Sequence, residues 1–222
     1  MSIQRQLLAE FIGSLLLAGV VIGSGILAVE VSSGNDGIAL LGNTAATGAI
    51  LWVLVAIFGP ISGAHFNPAV TLAFRLRGEI GTRPAFLYVV AQIIGCIVGG
   101  VIAHLMFELP LVQIAETDRS GASKIVAEGV ATFTLVLAIF GALRHAPKAV
   151  PAAVALTITA GYWWTASTSF ANPAISVARA LSDTFAGVRP ADVPGFVLGQ
   201  LVGAVAATIV SAAVFSASSE KS

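Results

Sequence analysis

The chain has 222 residues, of which 57% are hydrophobic and only 10% are charged. A water-soluble domain of this length cannot hide so much apolar surface, so the composition predicts a membrane protein. Eleven basic residues balance eleven acidic ones, and this absence of net charge argues against nucleic acid as a partner. Cys96 is the only cysteine, so no internal disulfide can form, and we expect this side chain to be a small buried hydrophobe.

Six membrane-spanning helices are predicted along the chain. Four stretches are each long and apolar enough for one span: Phe11–Val29, Pro84–Phe107, Ile125–Leu143 and Val193–Phe215. The first is expected to be a retained span rather than a cleaved signal peptide. Two further stretches, Gly37–Phe74 and Ala149–Ala178, contain no Lys, Arg, Asp or Glu and are too long for one span. We interpret them as a span plus a short extra helix: Gly37–Phe58 with Pro68–Phe74, and Ala149–Thr165 with Pro173–Leu181.

The two short helices are predicted to be re-entrant half-helices. They are too short to cross a bilayer, and irregular backbone survives at that depth only where protein buries it or where it lines a watery cavity. The fold class is therefore all-α, with six transmembrane helices and two half-helices that enter the membrane and return.

An internal repeat relates residues 1–110 to residues 120–222. Three blocks match in the same order: AEFIGS with AEGVAT, GAHFNPAVTLA with TSFANPAISVA, and VAQIIGCIVGG with LGQLVGAVAA. Because each half has three spans, the second half begins on the opposite side of the membrane from the first. The repeats are then inverted within one channel domain, residues 1–222, with the working site at the midplane between them.

The sequence Asn-Pro-Ala lies near the far end of each overlong stretch. It occurs as Asn67, Pro68 and Ala69, and again as Asn172, Pro173 and Ala174. Proline suits the first position of a helix and asparagine is a preferred cap before it, so each motif predicts a helix start. Two helix starts that meet at the midplane direct positive dipole ends and amide donors to one place. This arrangement favours uncharged hydrogen-bonding solutes and repels ions.

In these motifs, and over roughly Gln6 to Phe215, the chain resembles the major intrinsic protein family of aquaporins and aquaglyceroporins. SGAHFNPAVT is similar to the first signature of that family. The resemblance implies a passive channel for water or small neutral solutes, a homotetramer with one pore in each subunit, and surrounding membrane lipid. No cofactor and no enzymatic activity are expected, because no metal-ligand spacing or nucleophile–base pair is found in the sequence.

The outer constriction of the pore departs from the family pattern. The family usually places arginine directly after the second Asn-Pro-Ala, and this chain has Ile175 there. The resemblance places the other constriction residues at Thr47, at Gly161 or Tyr162, and at Ser169 or Phe170. Such a ring is wider or less polar than a water-selective filter. It is similar to a bacterial subgroup associated with arsenic resistance, which implies polyols or undissociated arsenicals such as arsenite or methylated species, with water.

Several polar residues outside the motifs are expected to support the pore. Glu10 and Glu128 should accept hydrogen bonds from the backbone of the re-entrant loops, and Gln92 and Gln200 should pin helices. His65 either lines the cytoplasmic half of the pore or braces its loop. His104 is expected to be interfacial.

Arg179 follows Ile175 by one helical turn, on nearly the same face. We expect this arginine to reach the lipid headgroups or to pair with Asp183. In the alternative arrangement its guanidinium swings back over the outer mouth of the pore.

The distribution of basic residues predicts that both termini are cytoplasmic, in a cell inner (plasma) membrane. One side of the membrane would hold Arg5, Arg75, Arg77, Arg83, Arg144, Lys148 and Lys221, and the other Arg119, Lys124, Arg179 and Arg189. Two alternative functions stay open at this stage. One is a water-selective aquaporin. The other is an ion-coupled secondary transporter, for which Glu10 and Glu128 are the available ionisable groups.

Overall fold

The computed structural model describes residues 1–215, and this part of the chain is helical without any β-strand. Lys221, one of the basic residues used to predict the orientation, lies outside the described residues. The eight α-helices are α1 (Ile3–Val31), α2 (Asp36–Ser62), α3 (Pro68–Leu76), α4 (Thr82–Met106), α5 (Ala122–His145), α6 (Val150–Trp164), α7 (Pro173–Arg179) and α8 (Val193–Val214).

Each predicted helical segment overlaps one of these helices, but several bounds differ. Helix α1 begins at Ile3 rather than Phe11, so Glu10 lies inside it. Helix α2 continues to Ser62. Its C-cap is Gly63, whose φ of 89° is the left-handed conformation that commonly stops a helix. Helix α7 ends at Arg179 instead of the predicted Leu181.

Five helices within residues 1–215 are long and apolar enough to cross a membrane by length and composition. They are α1, α2, α4, α5 and α8, the last together with a short 3₁₀ turn that precedes it. Helix α6 has 15 residues and follows a 3₁₀ turn at Pro147–Ala149. Large apolar side chains such as Trp52, Trp163 and Leu198 are exposed on the outer faces of these helices, as expected for a surface in contact with lipid.

Two helix pairs, α1 with α4 and α5 with α8, pack closely along their lengths. Glycine makes this possible at equivalent places in the two pairs. A Cβ atom on Gly95 of α4 would overlap the carbonyl oxygen of Phe11 in α1, and one on Gly203 of α8 would overlap that of Gly129 in α5. Small residues let helix backbones approach in this way, which is the usual basis of tight packing between membrane helices.

The short helices α3 and α7 are enclosed by the long ones. Helix α3 packs against α8 and α4, and α7 packs against α4 and α8. Each short helix thus contacts the last long helix of both halves. The first turns of α3 and α7 also contact one another. The functional site is built around this meeting point.

Candidate functional site

The sequence Asn-Pro-Ala begins a helix at both of its occurrences. Pro68 and Pro173 are the first residues of α3 and α7, and the preceding asparagines have extended backbones. The Oδ1 atom of Asn67 accepts from the amide N–H of Ala69 at 2.9 Å, and that of Asn172 accepts from Ala174 at 3.0 Å. These are ordinary helix caps, so local chemistry alone explains where both helices begin.

The same two asparagines join the halves of the molecule to one another. The Nδ2 atom of Asn67 donates to the carbonyl of Ala171 at 2.6 Å, and that of Asn172 donates to the carbonyl of Phe66 at 2.8 Å. Each Nδ2 carries two hydrogens. Within residues 1–215 the second hydrogen of each amide has no acceptor, and both asparagines line the central cavity. Two amide donors are therefore available to a molecule in that cavity.

The loops that lead into α3 and α7 adopt unusual backbone conformations at matching positions. Ala64 and Phe66 have φ of 50° and 49°, and Ser169 and Ala171 have φ of 53° and 49°. The left-handed region costs a residue with a side chain about 1–2 kcal/mol. In this shape the loop amides cannot form the hydrogen bonds of a helix. The loops keep it because side chains elsewhere in the protein accept hydrogen bonds from those amides.

The carboxyl group of Glu10 binds the first loop. Its Oε1 atom accepts from the amide of His65 at 3.0 Å and from the hydroxyl of Ser62 at 2.6 Å, and its Oε2 atom accepts from the amide of Phe66 at 2.7 Å. Gln92 also donates to Glu10, at 2.8 Å. These are the backbone contacts predicted for Glu10, and they leave its oxygens occupied rather than facing the cavity.

Glu128 binds the second loop in the equivalent way. The amides of Phe170 and Ala171 donate to its two oxygens at 2.9 and 2.8 Å, and Gln200 donates at 2.6 Å. Gln200 also donates to the hydroxyl of Ser176 at 3.0 Å, as Gln92 does to that of Thr71 at 2.9 Å. Both glutamines thus connect a long helix to a short one and, as predicted, are not among the residues that line the cavity.

A narrow cavity passes between the short helices and the long ones. Its volume of about 60 Å³ corresponds to a few water molecules. One wall is apolar and contains side chains from α1, α2, α5 and α6: Leu17, Val21, Leu51, Val55, Leu135, Ile139, Val154 and Ile158. The rest of the lining includes the two loops, with Asn67, Asn172 and the first turns of α3 and α7. Most hydrogen-bonding groups of the cavity belong to this part, and the hydroxyls of Thr47 and Tyr162 are added from α2 and α6.

Five of the six residues predicted for the constriction line this cavity: Thr47, Tyr162, Ser169, Phe170 and Ile175. The sixth, Gly161, is not among the lining residues. A Cβ atom at that position would lie 2.5 Å from the Oγ atom of Ser169, so its place is behind Ser169. The hydroxyls of Thr47 and Tyr162 are 3.3 Å apart and link α2 to α6. Of the two residues that the sequence left as alternatives for the fifth-span position, Tyr162 lines the cavity and Gly161 does not.

His65 contacts both the cavity and the short helix α3. It lines the cavity, and its ring stacks on Phe74 with the ring centroids 4.4 Å apart. Its Nδ1 atom lies 3.1 Å from the hydroxyl of Thr71, in α3.

Comparison with known proteins identifies the family. The profile of the family "Major intrinsic protein" matches residues 1–158. The chain belongs to the major intrinsic protein family. It is 52% identical to aquaglyceroporin AqpS of Rhizobium meliloti (strain 1021) over 203 residues, which cover 91% of this chain and 87% of that protein. It is 30% identical to a probable NIP-type aquaporin of Nicotiana alata over 94% of this chain and 77% of that protein. The X-ray structure of the aquaglyceroporin from Plasmodium falciparum superimposes with a TM-score of 0.73 at 19% sequence identity. The superposition covers 94% of this chain and 95% of that chain and shows the aquaporin fold.

Membership of the major intrinsic protein family makes this chain a multi-pass membrane protein and a passive channel for water and small solutes, not an enzyme. The resemblance found in the sequence is thereby confirmed. The match at 52% identity is to a protein named as an aquaglyceroporin, the branch of the family indicated by the sequence around the second motif.

Two sequence expectations about residues near helix ends are wrong. Arg179 neither reaches the surface nor pairs with Asp183: it is only 3% exposed and lines the cavity. Asp183 instead accepts from the amide of Glu116 at 3.0 Å. His104 is buried rather than interfacial, with its ring nitrogens 2.9 Å from the carbonyl of Leu111 and 2.8 Å from the hydroxyl of Ser182. Both errors have the same cause. Loop residues bury these helix ends, and the sequence alone does not show where the loops lie.

Proposed function

We propose that this protein is an aquaglyceroporin-type channel for small neutral solutes larger than water, with polyols and undissociated arsenicals such as arsenite or methylated species as its substrate class, together with water. One observation carries the proposal. The residue after the second Asn-Pro-Ala is Ile175, which lines the cavity and offers neither charge nor N–H donor. Tyr162 and Phe170, which also line the cavity, add aromatic surface to it.

The proposed pore uses the inverted repeat and the two half-helices within one channel domain. In this arrangement α6 with its preceding 3₁₀ turn is the fifth span in chain order, which completes the six, and α3 and α7 enter the membrane from opposite sides. The matched bonds of Glu10 and Glu128, and the reciprocal bonds of Asn67 and Asn172, support it, because equivalent groups make equivalent contacts in both halves. We further propose a homotetramer in a cell inner membrane, with both termini cytoplasmic.

The apolar wall and the amide donors of the cavity together suit the passage of a small neutral solute. A polyol or an undissociated oxyacid can place its oxygens toward Asn67 and Asn172 while its other face lies against side chains such as Leu51 and Ile158. An ion would lose its hydration shell on the apolar side without replacement, and such a loss is costly. The carboxyl groups of Glu10 and Glu128 are bound to the loops, which disfavours an ion-coupled transporter.

The deciding experiment compares Ile175→Arg with wild type and with Ile175→Val in the same vesicle preparation. Light scattering measures the permeability to water, glycerol, urea, arsenite and methylarsenate. We expect Ile175→Arg to reduce glycerol and arsenite flux at least about tenfold more than water flux, because the guanidinium narrows the constriction, and Ile175→Val to keep the wild-type ratios. Equal loss for all solutes, or no loss, would contradict the role of position 175. Uphill solute accumulation driven by a proton or sodium gradient would contradict the channel itself.

A further inference from the structure

Arg179 carries the only charge among the described residues that line the cavity. It is the last residue of α7, one helical turn beyond Ile175, and only 3% of its surface is exposed. A buried guanidinium is costly unless its hydrogens and its charge are used. The contacts of Arg179 show how it is held and which of its atoms remain available.

An aromatic ring and one carbonyl group hold this guanidinium in place. Its central carbon lies 3.3 Å from the centroid of the Phe170 ring, and its Nε atom donates to the carbonyl of Ala186. Within residues 1–215 no carboxylate forms an ion pair with Arg179, and its two Nη atoms have no acceptor. The stacked, forked geometry fixes the group more firmly than a lysine would be fixed. Its free Nη hydrogens are on a side chain that faces the cavity.

A second arginine approaches the same ring from a different part of the chain. Arg119, in the segment between α4 and α5, has its guanidinium carbon 5.3 Å from the centroid of Phe170. It donates to the carbonyls of Gly187 at 2.8 Å and Phe185 at 3.3 Å. Three successive carbonyl groups, at residues 185–187, thus orient two guanidinium groups around one phenylalanine.

Two positive charges therefore lie against Phe170, a residue that lines the cavity together with Ile175. Neither arginine is neutralised by an ion pair within the described residues. The repulsion between two unit charges about 4 Å apart is about 4 kcal/mol at the effective dielectric constant of a protein surface, which corresponds to roughly a thousandfold in population. A cation that enters the constriction therefore meets a barrier that a neutral solute does not meet.

We propose that Arg179 is the displaced cationic donor of the outer constriction, supported by Arg119 behind the Phe170 ring. From one turn farther along α7 it repels cations, and it donates its Nη hydrogens to solutes that carry several oxygen atoms, such as polyols and undissociated oxyacids. Position 175 can then be aliphatic, so the pore is wide there and still discriminates against cations. This inference rests on the proposed function, because it takes the cavity as the path of the solute.

The test measures cation leak and solute selectivity in proteoliposomes that contain wild type, Arg179→Met or the control Arg189→Met. Methionine keeps the length of the side chain and removes its charge and donors. Arg189 pairs with Asp118 and Asp192 and is not a lining residue. We expect Arg179→Met to raise sodium and proton leak up to about a thousandfold and to lower the ratio of glycerol to water permeability about tenfold. Arg189→Met should match wild type in both measurements.

Two further variants keep the proposal falsifiable if Arg179→Met does not fold. Arg179→Lys keeps the charge and should keep the low cation leak, but it should lower the ratio of glycerol to water permeability several-fold because it cannot both stack and donate as a fork. The double variant Ile175→Arg with Arg179→Met moves the charge by one turn and should restore cation exclusion.

Wild-type vesicles without water or glycerol flux would overturn the proposed function and this inference together. Conducting wild type with an unchanged leak and an unchanged glycerol-to-water ratio in Arg179→Met would overturn this inference alone. If only Arg179→Lys folds, an unchanged ratio in that variant would also overturn it.

Discussion

Replacing Glu128 by glutamine tests whether its carboxyl group holds the second loop in its left-handed conformation. Two backbone amides and the side chain of Gln200 donate to the two oxygens of Glu128, at 2.6–2.9 Å. Glutamine has one oxygen acceptor and one donating NH₂ group. With its oxygen placed between Ala171 and Gln200, its NH₂ faces the amide N–H of Phe170, so two donors oppose one another.

The energetic cost follows from that geometry. A hydrogen bond to a charged group contributes about 1.5–3 kcal/mol, and a buried donor without an acceptor costs about 1–3 kcal/mol. The two estimates overlap because they describe the same amide, so we expect Glu128→Gln to lower the free energy of unfolding by about 2–4 kcal/mol. For a chain of this size the corresponding fall in Tm is about 4–16 °C.

Thermal unfolding in one detergent, followed by size exclusion of the heated samples, measures this difference. Glu116→Gln is the matched control, because Glu116 is exposed and it is its backbone amide, not its side chain, that donates to Asp183. Glu10→Gln should behave like Glu128→Gln, since Glu10 binds the first loop in the same way. If Glu128→Gln unfolds at the temperature of wild type and of Glu116→Gln, the carboxyl group does not hold the loop.

Two further predictions concern close contacts made by glycine. Gly203→Ala should lower the free energy of unfolding by about 1–3 kcal/mol, because the added Cβ overlaps the carbonyl of Gly129. The control Gly59→Ala should be neutral or slightly stabilising, because a Cβ there meets no neighbouring atom within 4 Å. Equal Tm values for the two variants would contradict the close packing of α5 on α8. Gly161→Ala should push Ser169 into the constriction and reduce glycerol permeability several-fold, and the added change Ser169→Gly should restore it because the clashing hydroxyl is then absent. Glycerol flux that is unaffected by Gly161→Ala would show that Ser169 is not part of the constriction.

The starts of α3 and α7 could be predicted because helix capping depends on three or four consecutive residues. Asn67 with Pro68, and Asn172 with Pro173, contain within themselves the acceptor and the restricted backbone that begin a helix. The roles of Glu10 and Glu128 in binding the loops were predicted from the resemblance and are seen in the hydrogen bonds. The inverted orientation of the halves and the tetramer stay predictions.

The constriction could be predicted only in part. The sequence left Gly161 and Tyr162 as alternatives for one position of the constriction, and only the rotation of α6 shows that Tyr162 lines the cavity while Gly161 lies against Ser169. The apolar wall was not predicted residue by residue. On helices that are hydrophobic all round, the pattern alone does not distinguish a side chain that faces the cavity from one that faces lipid.

The sequence by itself determined the class of this protein: its apolar composition, its repeated Asn-Pro-Ala and its paired Glu and Gln residues fix an all-helical channel whose short helices begin at Pro68 and Pro173. Only the tertiary structure decided where the side chain of Arg179 lies. Its burial depends on the Phe170 ring and on the carbonyl group of Ala186, which folding brings to it. A long flexible side chain at a helix end has several places to go, and the choice among them is made by neighbours that a local pattern does not contain.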